Sequence, residues 1–228
     1  MDASRWEKLA AGTGIGFVVA FVAGFVIAPS PPKLSDDATT IAEYFVHNQN
    51  AILVGSVLSA GVGGVMLLWW LGSLRLFLRR RESDGGRLSA VAFGSGLVAL
   101  ATVTQFFALR ATLAFGLGGV VDPSVSKGIY AAAYTIDALN VFSVGALLVA
   151  ASISAFRSGA FPRWLAWFGL LAGVSRWFTG LDVVLKESIL GDEGAIGLIA
   201  FLAVMVWIVA ASIVMIRKTA DALNGSNP

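Results

Sequence analysis

A chain of 228 residues that is 57 % hydrophobic and 13 % charged, with a mean hydropathy of +0.81, is too apolar for a soluble globule, a disordered chain or a coiled coil. The lack of cysteine excludes disulfides, thiolate catalysis and thiolate-held metal centres, and the single histidine, His47, excludes a multi-histidine metal site, so no metal or cofactor is expected. A net charge of +2 does not point to nucleic acid, because the basic residues flank apolar runs and read as membrane-orientation charges.

A membrane-crossing helix needs about 20 mostly apolar residues. Six such stretches occur, at Leu9–Ala28, Ala51–Leu74, Leu88–Leu113, Ile129–Phe156, Trp164–Leu185 and Ala195–Ile216. None alternates as a barrel strand would. Residues 1–228 therefore read as a single all-α domain, an integral membrane bundle of six transmembrane helices.

The first span has a basic start, Arg5 and Lys8, like a signal peptide. Its apolar stretch exceeds the usual h-region and Pro29 would follow the cut, so it reads as a retained helix. Gly12, Gly16, Ala20 and Gly24 repeat along it at four-residue spacing; Ser56, Ala60 and Gly64 do so in span two, and Gly169 and Gly173 in span five. Such ridges of small residues let helices approach closely in lipid. The string Gly12–Gly16 (GTGIG) has no strand before it and is no dinucleotide motif.

Pro29, Pro31 and Pro32 stop the first helix. Asp36 or Asp37 then caps a short helix through Asn48, with Ile41, Phe45 and Tyr44 on its apolar side, expected to lie amphipathically on the outer interface. Trp6, Trp69, Trp70, Trp164 and Trp167 read as interface markers, and the deeper Trp177 and Trp207 as packing residues.

Arg5, Lys8, Arg75, Arg79, Arg80, Arg81, Arg87, Arg157, Arg163, Arg217 and Lys218 fall on one side of the six spans, and Lys33, Lys127 and Lys186 on the other. Eleven against three places both termini in the cytoplasm of a plasma-membrane protein.

Ionisable residues inside spans cost about 2.5–3.5 kcal/mol each and need a partner, a water cavity or a route to the interface. The candidates are Gln105 and Arg110 in span three, Asp137 and Asn140 in span four, and Arg176 and Asp182 in span five. Counting along the spans puts Asp137 and Arg176 each roughly 12 Å from the outer boundary, which suggests an ion pair. Tyr134 shares the Asp137 stripe. Arg110 lies nearer the outer end, from which its side chain could snorkel to the interface without a partner. His47, at the mouth of span two, reads as a wetted interface residue.

The run Phe161–Gly173 (FPRWLAWFGLLAG) resembles a segment of a bacterial six-span membrane family carrying a domain of unknown function. The Leu-Trp-Trp-Leu-Gly72-Ser-Leu-Arg75 exit from span two, the short Asp122-Pro123 loop and the Arg217-Lys218 end of span six are similar in layout. The resemblance implies the six-span fold and no activity, ligand or site residues.

The function expected from these residues is binding, and moving or presenting, a small amphipathic or anionic ligand such as a lipid. Arg176, Asp137, Gln105, Asn140, Tyr134, Asp182 and Arg110 would line an outer-leaflet pocket. The alternative is a structural or accessory subunit packed against another membrane protein. An intramembrane hydrolase built on Asp137 and Asp182 is a weaker alternative, since neither acid carries a flanking motif and Arg176 nearby favours ionisation over proton sharing.

Overall fold

Backbone groups in hydrocarbon must find partners within their own segment. The computed structural model, which describes residues 3–83, 85–117, 119–181 and 195–224, answers with helices and has no strand among the described residues. In chain order they are α1 (Ala3–Ile27), α2 (Ala38–His47), α3 (Gln49–Ser56), α4 (Gly63–Arg79), α5 (Arg87–Thr112), α6 (Pro123–Ser158), α7 (Arg163–Thr179) and α8 (Ala195–Asn224). A π segment at Val57–Val62 joins α3 to α4, and another at Leu113–Leu117 extends α5.

The long helices form a closed ring in the order α1, α4, α5, α6, α7, α8 and back to α1. Neighbours in the ring run antiparallel, so the start of α1 and the end of α8 lie together. This end also carries the α4–α5 and α6–α7 turns, and is called the terminal end below. Five helical runs are long and apolar enough to cross a membrane: Arg5–Ile27, Gln49–Arg79, Arg87–Leu117, Pro123–Ser158 and Ala195–Thr219. The described part of the fifth expected span, α7, has 17 residues, roughly 25 Å against a hydrocarbon core of about 30 Å.

Helix ends depart from the apolar runs where capping chemistry, not hydropathy, sets them. Helix α6 starts six residues before Ile129 because Asp122 caps it, accepting from Ser124 N at 2.8 Å, with Pro123 in the first turn. It ends at Gly159, whose φ of +66° is the left-handed conformation of a helix stop. Helix α5 starts where Glu82 accepts from Ser89 N at 2.9 Å; the Ser154 hydroxyl of α6 donates to the same carboxylate.

Glycines set the closest crossings. A Cβ on Gly24 would stand 2.6 Å from the Gly55 carbonyl, and one on Gly145 2.8 Å from that of Gly173. The expected ridges thus hold at Gly24 and Gly173, but their counterparts Gly55 and Gly145 lie outside the regular spacings. Trp70 is a correction: it is fully buried, packed edge-on against Trp207 at 6.1 Å between centroids and over Gly14. Its neighbour Trp69 points outward and is half-exposed, as one residue on a helix turns a side chain by about 100°.

The short helix α2 forms where expected, with Thr40 N donating to Asp37 Oδ1 at 2.9 Å. Its apolar side is turned inward, however. Ile41 and Phe45 are fully buried and pack in one cluster with Ile52, Leu113, Ala114 and Tyr130, so the protein covers this face.

Candidate functional site

The last two turns of α5 carry Phe106, Phe107 and Arg110, all buried. Residues 106 and 110 are one turn apart on the same face. The Arg110 guanidinium accordingly lies 5.3 Å from the Phe106 ring centroid, and 6.0 Å from that of Phe45 on α2. Only 7 % of Arg110 is exposed, so of the two readings the sequence left open, the snorkelling one does not hold. Phe45 brings α2 against it, and the proline-rich segment after α1 lines the cleft beside it.

Beside Arg110 lies a cleft of about 130 Å³, walled by Gly24 and Phe25 of α1, Gly55 and Ser56 of α3, and the Pro29–Pro31 segment. The Gly24–Gly55 approach narrows its base. Ser59, in the adjoining π segment, fastens α3 to α1 by donating to Phe21 O at 3.2 Å. Both π segments adjoin this end of α3 and α5, a placement common at functional sites.

The electrostatics of Arg110 are unbalanced. Arg80 pairs with Glu7 at the other end of the bundle, and among the described residues no carboxylate pairs with Arg110. The polar neighbour is Tyr44, whose hydroxyl donates to Pro29 O at 2.7 Å and whose oxygen can accept from Arg110. Burial pushes the Tyr44 phenol above its usual pKa, and the Arg110 charge partly opposes this. Cation–π contact contributes about 0.5–2 kcal/mol, less than the roughly 2.5–3.5 kcal/mol that a cation costs at depth. A guanidinium has five donors, and the cleft is where the unmatched ones can find an anion or water.

The other expected site residues lie elsewhere. Asn140 is buried on α6 and accepts from the Thr102 hydroxyl of α5 at 2.6 Å. That bond sets a register in which Gln105 is level with Asp137; Gln105 is exposed, and Asp137 and Tyr134 are half-buried. Arg176 is buried on α7. Contacts of Gly145 with Gly173 and of Phe142 with Trp177 fix the α6–α7 register. Arg176 then stands opposite Ser143, and Asp137 lies ~9 Å nearer the α2 end. Equal depth does not result, because α6 runs on past the described end of α7 and the two spans share no common origin for counting. Asp182 lies outside the described residues. None of these residues is among the described lining of the Arg110 cleft.

His47 is exposed at the end of α2, its Nδ1 donating to Glu43 O at 2.8 Å. Among the described residues no group of His, Asp or Glu is placed to hold a metal ion. Nothing in the sequence marks Tyr44, Phe45 and Phe106 as site residues. The signal available was the Phe106–Arg110 spacing; that α2 folds back over Arg110 could not be read from it. No family model matches the chain, and neither does any curated protein or solved structure.

Proposed function

We propose that the chain is a multi-pass plasma-membrane protein of six spans, with both termini cytoplasmic. In this reading it binds the anionic group of a small amphipathic ligand, such as a lipid, in the outer-leaflet cleft beside Arg110. The observation that carries the reading is a buried cation that lines a cleft and has no carboxylate partner among the described residues. The cleft's 130 Å³ is well below the about 300–1,000 Å³ of sites that enclose a whole drug-sized ligand. That admits a carboxylate or phosphate but not a whole lipid, so the tail lies outside, along the exposed face of Phe25. The basic terminal end supports the orientation, and the likeness of Phe161–Gly173 to a six-span family supports the span count.

Arg176, Asp137, Asn140, Tyr134 and Gln105 take a different part in this proposal. They form a polar seam that holds α5, α6 and α7 in register, with the Thr102–Asn140 bond as its support.

Native mass spectrometry of the protein extracted with its own lipids tests the function. Wild type should retain an acidic adduct that Arg110→Gln loses while keeping its helical content. Identical adducts on both proteins would refute the assignment.

A further inference from the structure

A second concavity lies at the terminal end, between α1, α4 and α8, on the opposite side of the membrane from Arg110. Its volume is about 920 Å³, within the range of small-molecule sites. The floor is apolar, formed by Ala11, Gly72 and Met215. A Cβ at Gly72 would meet nothing within 4 Å, so the groove is open along α4. At its mouth the half-exposed Trp6 and Trp69 pack edge-to-face, 5.2 Å between centroids. Tryptophans so exposed beside an apolar span sit at head-group level.

Three cations rim the groove. Arg80 is neutralised by Glu7 at 2.8 Å. Arg81 donates to Phe77 O at 3.0 Å and lies 4.1 Å from the Phe77 ring centroid. Lys218 donates to the carbonyls of Gly159 and Ala160 at 3.1 and 2.9 Å. Among the described residues neither Arg81 nor Lys218 meets a carboxylate. Carbonyl dipoles orient these two charges without cancelling them, and each repels the other across the groove. Burial, and then the adjacent Arg80, hold the Arg81 pKa below the usual arginine value, although an arginine remains charged throughout the physiological range.

We infer that this groove binds an anionic glycerophospholipid from the leaflet on the terminal side, its phosphodiester between Arg81 and Lys218 and one acyl chain over Gly72. Two unneutralised cations above an apolar channel complement that molecule at both of its ends. Basic pockets between membrane helices on the cytoplasmic side take such head groups. A zwitterionic lipid would fill the channel and leave a net positive charge at the rim. A free phosphate would satisfy the charges and leave the channel empty.

The test uses the full-length protein in neutral detergent, with Arg110→Gln present throughout, wild type included, so that the other anion site is silent, and with three probes measured by native mass spectrometry. They are phosphatidylglycerol, phosphatidylcholine with the same chains, and glycerol 3-phosphate. Each cation should contribute about fivefold, so phosphatidylglycerol should be retained more than tenfold better than phosphatidylcholine, and glycerol phosphate not at all. Arg81→Gln and Lys218→Gln should each lower phosphatidylglycerol retention about fivefold and leave phosphatidylcholine unchanged. Lys218 also holds the Gly159–Ala160 turn, so Gly72→Leu provides a variant free of that role; it should reduce retention of both lipids. Equal retention of the two lipids by wild type would overturn the inference. So would wild-type phosphatidylglycerol binding by Arg81→Gln or Gly72→Leu, or glycerol phosphate binding as tight as the lipid's.

Discussion

The Thr102 hydroxyl donates to Asn140 Oδ1 at 2.6 Å, joining α5 to α6 within the apolar layer. Asn140 is buried, so no water replaces the bond when it is lost. Interhelical hydrogen bonds in membranes average about 0.6 kcal/mol and reach about 1.7. A double-mutant cycle of Thr102→Val and Asn140→Ala, read by reversible unfolding in mixed micelles, should give a coupling energy in that range. Strict additivity would mean that the bond does not hold the seam.

The Gly145–Gly173 crossing makes an opposite prediction for two glycines of one chain. Gly145→Ala drives a methyl into the Gly173 carbonyl, and overpacking of this kind costs about 1–3 kcal/mol. Gly94→Ala meets nothing within 4 Å and removes a helix-interior glycine, gaining up to ~1 kcal/mol. Melting temperatures in one detergent should therefore move in opposite directions. A drop in both would show that α5 is more tightly covered at Gly94 than the structure has it.

Glu82, in the turn after α4, joins α5 and α6, accepting from Ser89 N at 2.9 Å, Ser89 Oγ at 3.3 Å and the Ser154 hydroxyl. Ser89 and Ser154 are both fully buried. Glu82→Ala should destabilise by roughly 1.5–3 kcal/mol, the range for hydrogen bonds to a charged group. The loss should appear as faster amide exchange in the first turn of α5. Unchanged exchange there would remove Glu82 as the cap of that helix.

Asp37 predicts a pH dependence of α2. The Thr40 hydroxyl at 2.6 Å, and then the Thr40 amide, hold its carboxyl below the usual carboxylate range. A lowered folded-state pKa adds stability that is complete above the unfolded value of about 3.9 and is lost as pH falls through the folded one. Exchange protection in α2, corrected for intrinsic rates, should hold at pH 6 and fall as the pH drops below 4. Asp37→Asn should flatten that dependence. Equal protection across the range in wild type would contradict it.

Much of this fold was legible because hydropathy is a strong signal over 20 residues. The apolar runs located α1, α4, α5, α6 and α8, and the Asp-rich start of α2 gave its cap. Less legible was anything set by which side of a helix meets which neighbour. Trp69 and Trp70 read alike in a hydropathy window, yet one faces outward and the other is in the core. Arg110 left a snorkelling reading open beside the binding one because nothing local shows that α2, more than 60 positions earlier, folds over it. The axial offset of Arg176 from Asp137 was hidden for a related reason. Register between helices is fixed by glycine contacts, here Gly145 and Gly173, and not by distance from the end of an apolar run.

Arg110 also separates a binding residue from a structural one. A cation that locks the fold through a buried pair costs about 3–5 kcal/mol when removed. A cation kept for a ligand burdens the empty protein. Arg110→Leu should therefore leave the ligand-free protein as stable as wild type, or up to ~2 kcal/mol more stable. A loss of several kcal/mol would make Arg110 a structural residue.

The most direct measurement compares dodecanoate with dodecanol, equal in chain length and differing in charge, by calorimetric titration of the delipidated full-length protein. A charge-assisted bond to a buried guanidinium is worth about 1.5–3 kcal/mol, so dodecanoate should bind wild type at least tenfold tighter. Arg110→Gln should remove one dodecanoate site per chain and leave dodecanol binding unchanged. Equal affinities in wild type, or an unchanged number of dodecanoate sites in Arg110→Gln, would contradict an anion site in this cleft.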